Sequence, residues 1–329
     1  MKTGKLPESV LIRSVLKQVK HRREEVLVGP AIGQDCATVG VGEDEVIVLS
    51  SDPITGTTKD IGPLSVYITT NDLAAAGADP IGLMLTILLP EHVDEPELKK
   101  MMADIESTCE KLNIDVLGGH TEVTNVVSQP LVSVTGVAKM KKSQVSTLKD
   151  IEPNMDLVVT KWVGLEATTI IAKEKEEQLN TLFAPGFVRT AQEFDQYLSV
   201  MPESRIAMEH QVSAMHDITE GGIFGALWEM AAGAGLGVEV DLKKIPIRQE
   251  TVEICEVFGV NPYLIMSSGS MLIATKDGNG LVDKLKKAGI HSAVVGRTNA
   301  SNDRIIRNGE EIRYLDKPQT DELYKVIAN

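Results

Sequence analysis

The sequence predicts a two-domain protein of mixed α and β structure, and three observations carry that prediction. A chain of 329 residues is long for one hydrophobic core and comfortable for two. β-Rich runs and segments of helical spacing are mixed in both halves of the chain. Between the halves, Lys139 to Asp156 turns polar and charged, with Pro153 and little periodicity. The expected domains are therefore residues 1–150 and 151–329.

In the first half, Leu11 to Val19 has the apolar spacing of a short amphipathic helix, and Val46 to Leu49 and Ile81 to Leu89 read as strands. Ser65 to Ala76 carries helical spacing and ends at Gly77-Ala78-Asp79-Pro80. Asp94-Glu95-Pro96-Glu97 opens a helix running to about Leu112, with acidic first-turn residues and an early proline. Asp115 to Leu117 reads as a strand entering Gly118-Gly119, and Leu131 to Ala138 as another. The second half begins with a strand over Leu157 to Trp162 and a helix from about Glu166. A helix after Thr219 and a strand over Val238 to Leu242 follow, then apolar runs on both sides of Ser267-Ser268-Gly269. Asn308-Gly309, flanked by Arg304 to Arg307 and Glu310 to Arg313, is a hairpin signal.

The formal charge of −14 argues against non-specific nucleic-acid binding, which needs a basic surface. It leaves room for an anionic substrate, because a metal ion can bridge acidic side chains to phosphates. Cys36, Cys109 and Cys255 are widely spaced and lie in no CxxC or Cys/His cluster, as expected in a reducing compartment. No signal peptide is legible at the start, and the Ile81 to Leu89 run is too short to span a bilayer. A cytoplasmic protein without membrane contact is expected.

No GxxxxGK[ST] loop, HExxH or GxSxG elbow is present. Gly233-Ala-Gly235-Leu-Gly237 follows a helix and precedes a strand, the reverse of the dinucleotide-binding order, and reads as a helix-ending turn. What remains is acidic residues at strand ends or beside glycines. They lie in Gly33-Gln34-Asp35-Cys36-Ala37, Ser50-Ser51-Asp52-Pro53, Asn71-Asp72, Gly118-Gly119-His120-Thr121-Glu122 and Met215-His216-Asp217-Ile218-Thr219-Glu220-Gly221-Gly222. Taken singly, Asp35, Asp52 and Asp217 could be turn or cap residues. Asp72 lies in an apolar segment, where a buried carboxylate must be paired, hydrogen-bonded or metal-bound. Glu220-Gly221-Gly222 opens a helix whose first-turn N–H groups could hold an anion, or simply be capped by Asp217 or Thr219. Together these groups suit Mg²⁺, which takes oxygen ligands and shares its shell with phosphates.

In the same five stretches, and at Ser267-Ser268-Gly269, the chain resembles the superfamily of aminoimidazole ribonucleotide synthetase. That group includes selenophosphate synthetase, thiamine monophosphate kinase and the carbamoyl dehydratase of hydrogenase maturation. The longest matching segment is Ile68-Thr-Thr-Asn-Asp-Leu-Ala-Ala-Ala-Gly-Ala-Asp-Pro80. The resemblance implies two α/β domains, the N-terminal ones pairing into a β-barrel across a homodimer and the C-terminal one completing the ATP and substrate cleft. It implies ATP as cofactor, with Mg²⁺ on Asp35, Asp52 and Asp72. Asn71, Gly118, Gly119, Asp217, Gly221 and Gly222 are implied at the nucleotide or phosphates, and Asp72, His216 and Glu220 in catalysis. The implied reaction phosphorylates an amide, carbonyl or similar oxygen of a small or peptide-borne substrate, which then leaves as phosphate.

The nearest likeness is to the hydrogenase-maturation branch, through Asn71-Asp72-Leu73 and the Ser128 to Ala138 segment. Three features depart from it. The sequence has no cysteine after Cys255, lacks the glycine-rich segment of that branch near its start, and carries His120 where relatives have aspartate. Neutral imidazole is a poorer Mg²⁺ ligand than carboxylate, and Glu122 could restore part of the charge. Dehydration in that branch's usual form, on a C-terminal thiol, is therefore not expected. The alternative to an enzyme is a non-catalytic ATP-binding assembly partner.

Overall fold

The computed structural model describes residues 4–5, 8–31, 37–54, 59–317 and 319–327. The chain divides into two compact units: Met1–Leu73 with Ala78–Val145, and Ala74–Gly77 with Ser146–Asn329.

The first unit contains strands β1 (Gly4–Lys5), β2 (Val26–Val28), β3 (Thr38–Val39), β4 (Glu45–Ile54), β5 (Asp79–Leu89), β6 (Asp115–Val123) and β7 (Leu131–Lys141). Five of them form a sheet in the order β1-β6-β5-β7-β4, while β2 and β3 make a separate ribbon. β5 and β6 are parallel, and the Glu95–Leu112 helix supplies the crossover that parallel neighbours need. Asp94 caps that helix, accepting from the Glu97 N–H while the Glu97 carboxylate accepts from the Asp94 N–H. This helix and Ile61–Ala75 cover one face of the sheet, burying Val66, Met102, Ile105 and Cys109 against Leu83, Leu85, Ile87 and Val134.

Two strands outrun their sequence signals. β4 continues through Ser50-Ser51-Asp52-Pro53, because its antiparallel pairing with β7 holds as far as Ile54 opposite Val132. β6 likewise runs through Gly118 to Val123 beside β5. The Ile81 to Leu89 run, too short to span a bilayer, is the central strand of its own unit. β6 and β7 flank it, and Ile81, Leu83, Ile87 and Leu89 are all buried. The apolar exposure of this sheet lies instead on the outer face of β4, where Leu49 is 63% exposed.

The second unit is built on β8 (Asp156–Thr160), β9 (Ala214–Asp217), β10 (Gly237–Asp241), β11 (Met271–Thr275), β12 (Ser292–Asn299), β13 (Arg304–Asn308) and β14 (Glu311–Tyr314). They form one sheet in the order β14-β13-β10-β12-β8-β11-β9, antiparallel except for β10 beside β13. β8 and β11 are buried throughout, as their unbroken apolar runs require. The Gly222–Ala234 helix lays Ile223, Leu227 and Met230 over Leu157, Val159 and Leu272. The Leu165–Glu174 helix packs with Ile254, Cys255 and the C-terminal Leu323 and Val326. Gly235 ends the Gly222–Ala234 helix at φ +68°, so the Gly233 to Gly237 segment is a helix stop followed by β10. The hairpin turn is Gly309-Glu310, one residue later than its signal, with Asn308 paired to Glu311. Among the described residues, no helix is long and apolar enough to cross a membrane.

Candidate active site

In the first unit, β4 alternates strictly. Val46, Val48, Ser50 and Asp52 turn toward the helix-covered face, while Ile47, Leu49, Ser51 and Pro53 turn outward. The Ile61–Ala75 helix lies over that inner face, with Leu73 packed among Val46, Val48, Ala138 and Met140. Gly136 of β7, which pairs with Ser50, sets the approach. A Cβ at Gly136 would stand 2.7 Å from Thr69 Cγ2 and 2.8 Å from Leu73 Cδ1, so only glycine admits the helix this close. Asp72, the residue before Leu73 in the helix, thereby reaches the strand. Ser50 Oγ donates to Asp72 Oδ2 and lies 3.3 Å from Asp52 Oδ2. Two carboxylates twenty positions apart in sequence thus converge on one hydroxyl, and both are half-buried.

The other residues expected here are placed differently. Asn71, one position from Asp72, is fully buried in the helix. Gly119 has φ +142°, and a Cβ there would fall 1.8 Å from the Leu85 carbonyl oxygen, so the backbone of β5 accounts for this glycine. Gly118 has only ordinary contacts, 3.5 Å from Met84. Across the sheet, Asp52 aligns with Val134, Leu85 and Gly119, whereas His120 aligns with Thr86, Ser133 and Pro53. His120 is therefore on the opposite face from the Asp52–Asp72 pair. It contacts Glu122 instead, at 3.1 Å between Nε2 and Oε2. Asp35 lies outside the described residues. Among the described residues, no group of three His, Cys, Asp or Glu side chains is disposed to hold a metal ion.

In the second unit, β9 carries His216 and buried Asp217 to the start of the Gly222–Ala234 helix. His216 Nε2 stands 3.0 Å from Glu229 Oε2, and Glu220 is exposed. The helix start departs from both sequence readings. Neither Asp217 nor Thr219 caps it through a side chain; Gly221 is the N-cap, at φ +82°. The Gly221 N–H donates to Asp321 Oδ2 at 2.7 Å, and the Leu323 N–H donates to Asp321 Oδ1 at 2.8 Å. A buried carboxylate from the chain itself thus holds an amide that was expected to meet an anion. Gly222 is compelled by packing, since a Cβ there would lie 2.6 Å from the Tyr263 carbonyl oxygen.

Glu166, near the start of the Leu165–Glu174 helix, is the other acid that sequence reasoning passed over. It is buried, and burial pushes its carboxyl up to about 7, with the charges of Asp321 and Asp217 acting in the same direction. Burial also raises the Asp321 carboxyl, against the amides that donate to it. Ser50 was legible as a partner of Asp52, two residues away on the same strand face. Asp321 was not, because a hundred positions separate it from Gly221 and no local pattern links them.

Two family models match this chain: AIR synthase related protein, N-terminal domain, over residues 33–140, and AIR synthase related protein, C-terminal domain, over residues 152–307. The chain belongs to the AIR synthase related family. Within this family it is 26% identical over 281 residues to a putative hydrogenase expression/formation protein of Methanocaldococcus jannaschii, spanning 83% of this chain and 80% of that protein. It is 24% identical over 282 residues to the carbamoyl dehydratase HypE of Rhodobacter capsulatus, spanning 84% of this chain and 80% of that protein. The crystal structure of hydrogenase maturation protein HypE in complex with ATP superposes with a TM-score of 0.80, covering 98% of this chain and 97% of that one at 17% identity. These are the relatives that the Asn71-Asp72-Leu73 and Ser128 to Ala138 segments pointed to.

Cysteine chemistry in this family member is constrained by burial. Cys109 and Cys255 are both buried and free. Burial pushes the Cys255 thiol up to about 12 and Cys109 higher still, so both stay protonated and unreactive at neutral pH. Cys36 lies outside the described residues.

Proposed function

We propose that the chain is an ATP-dependent enzyme of the hydrogenase-maturation type, which activates an amide, carbonyl or similar oxygen by phosphorylation. The observation that carries this reading is the convergence of Asp52 and Asp72 on Ser50. Two carboxylates held side by side repel each other, and a divalent cation shared with phosphate oxygens relieves that repulsion. Asp52 and Asp72 would hold Mg²⁺, with Asp35 as a third ligand from sequence. The ion would neutralise phosphate charge, and the protein groups would orient the nucleotide. The relative crystallised with ATP and the two hydrogenase-maturation relatives support the choice of nucleotide and branch.

His216 and Glu220 are proposed for contacts to the substrate oxygen or its protons, being the titratable groups of the matched motif that reach the surface of the second unit. Asp321 takes the place of an anion at Gly221, so the phosphate contacts in this reading rest on the first unit. A homodimer is proposed through the first unit, where Ile47 and Leu49 leave an apolar face on β4 uncovered. Pairing of two such sheets into a barrel would bury that face.

Calorimetry of ATP with and without Mg²⁺, on wild type and Asp72→Asn, tests the reading. Wild type should bind in a Mg²⁺-dependent way, and Asp72→Asn should lose that dependence with its circular dichroism unchanged. Equal Mg²⁺-dependent affinity in the two proteins would overturn the assignment.

A further inference from the structure

The second unit contains a cavity of about 630 Å³ that none of the chemistry above uses. That volume lies within the roughly 300–1,000 Å³ typical of small-molecule sites. Gly221, Phe224 and Gly225 line one side of it, the i, i+3, i+4 face at the start of the Gly222–Ala234 helix. Phe224 is stacked on Tyr263, their ring centroids 5.3 Å apart and their planes 14° from parallel. The β13–β14 hairpin, the segment that follows it, Leu242 and Asn261 to Leu264 line the remainder.

Gly225 is the informative residue. Its backbone is helical, and glycine in a helix interior is less stable than alanine. Among the described residues, a Cβ there would meet only the Glu220 carbonyl oxygen, at 3.3 Å, and one at Gly221, which its φ of +82° already reserves for glycine, would meet only Gly225 Cα, at 3.7 Å. Beyond those two atoms, and apart from the adjoining backbone, no described residue comes within 4 Å of either position. The charged residues around the cavity balance in sign: Arg313 lies 2.7 Å from Glu311 and Lys325 2.9 Å from Glu322, and Asp316 is followed by Lys317. An anion is therefore not selected. Asn261, Asn308 and Gln319 also line the cavity. The Asn261 Oδ1 accepts from the Tyr263 N–H at 3.0 Å, which leaves its NH₂ as a donor, while the amides of Asn308 and Gln319 carry a donor and an acceptor side by side, the pattern that pairs with the edge of a heterocycle.

We propose that this cavity binds a small, uncharged planar heterocycle of nucleobase type, stacked against the Phe224–Tyr263 pair and bound at its edge by side-chain amides. The site belongs to the second unit alone and does not depend on the Asp52–Asp72 reading.

Saturation-transfer NMR on the full chain with adenosine, guanosine, cytidine and uridine, with ribose as the ringless control, tests it. Transfer to the base protons of at least one nucleoside and none to ribose is expected. Gly225→Leu, which fills the space, and Phe224→Leu, which keeps apolar volume but removes the ring, should each weaken binding tenfold or more. Asp72→Asn should leave it unchanged. No transfer to any nucleoside, or transfer undiminished in Phe224→Leu, would overturn the proposal. So would loss of transfer in Asp72→Asn, because the ring would then sit at the carboxylate pair of the first unit.

Discussion

Each unit gathers carboxylates, and the two gatherings behave differently. In the first, Asp52 and Asp72 are half-buried and meet at the Ser50 hydroxyl. In the second, Glu166, Asp217 and Asp321 are buried, amides occupy both oxygens of Asp321, and Glu166 is pushed up to about 7. Solvent access separates the two cases. Acids that water can reach are open to a cation, whereas acids sealed from water relieve their repulsion by keeping a proton or taking backbone donors. Acidic residues in a motif therefore do not identify a metal site until their burial is known.

The strongest test of this contrast is a double-mutant cycle on Asp52→Asn and Asp72→Asn. If the two carboxylates share one cation, each single variant lowers Mg²⁺-dependent ATP affinity tenfold or more, about 1.4 kcal/mol per decade. The double variant should be little worse than either single one. Additive losses would mean that the two act separately.

Gly136→Ala attacks the geometry behind the pair. The added methyl would meet Thr69 and Leu73, lifting the helix from the sheet. A destabilisation of about 1–3 kcal/mol is expected, as for other overpacked cores. Mg²⁺-dependent binding should weaken as well, although no ligand has been touched. Urea unfolding together with calorimetry measures both effects, and unaltered stability would show that the close approach is not needed.

Glu166→Gln probes the sealed group through its pH dependence. Folded Glu166 keeps its proton up to about pH 7, while the unfolded carboxyl ionises near its ordinary 4.5. Between those values the folded state binds more protons, so stability falls as pH rises and the loss is complete above 7. The glutamine variant should match wild type below pH 4.5 and exceed it by about 3 kcal/mol above pH 7. A constant difference in thermal melts across this range would contradict the shift.

Ser50→Ala should have a smaller effect, about 0.5–1.5 kcal/mol of nucleotide affinity or stability, the net worth of a single hydrogen bond. A loss as large as that of Asp72→Asn would make the hydroxyl itself a ligand. For Cys109 and Cys255 the expected effect is nil. Mass spectrometry after incubation with a carbamoyl donor system and ATP should find neither modified, because both thiols are buried and protonated. An adduct on either would show that these packed elements open.

By itself, the sequence determined the mixed two-unit organisation, the capped Glu95–Leu112 helix, the strands of apolar alternation and the family. All of these depend on local spacing or on motifs whose order survives in the chain. It also placed Asp52, at the end of a strand, and Asp72, in an apolar segment where a carboxylate needs a local reason, as candidates. It could not fix strand lengths: β4 and β6 run on through polar and glycine residues because their neighbours pair with them, not because of their own propensity. Nor could it say which face His120 takes, because a one-residue difference in register reverses the face of every side chain on a strand. Only the tertiary structure decided that Gly136 lets Asp72 reach Ser50 and that Asp321 closes over the Gly221 amide. Those contacts join residues far apart in sequence, and their energies depend on a few tenths of an ångström of packing that no local pattern encodes.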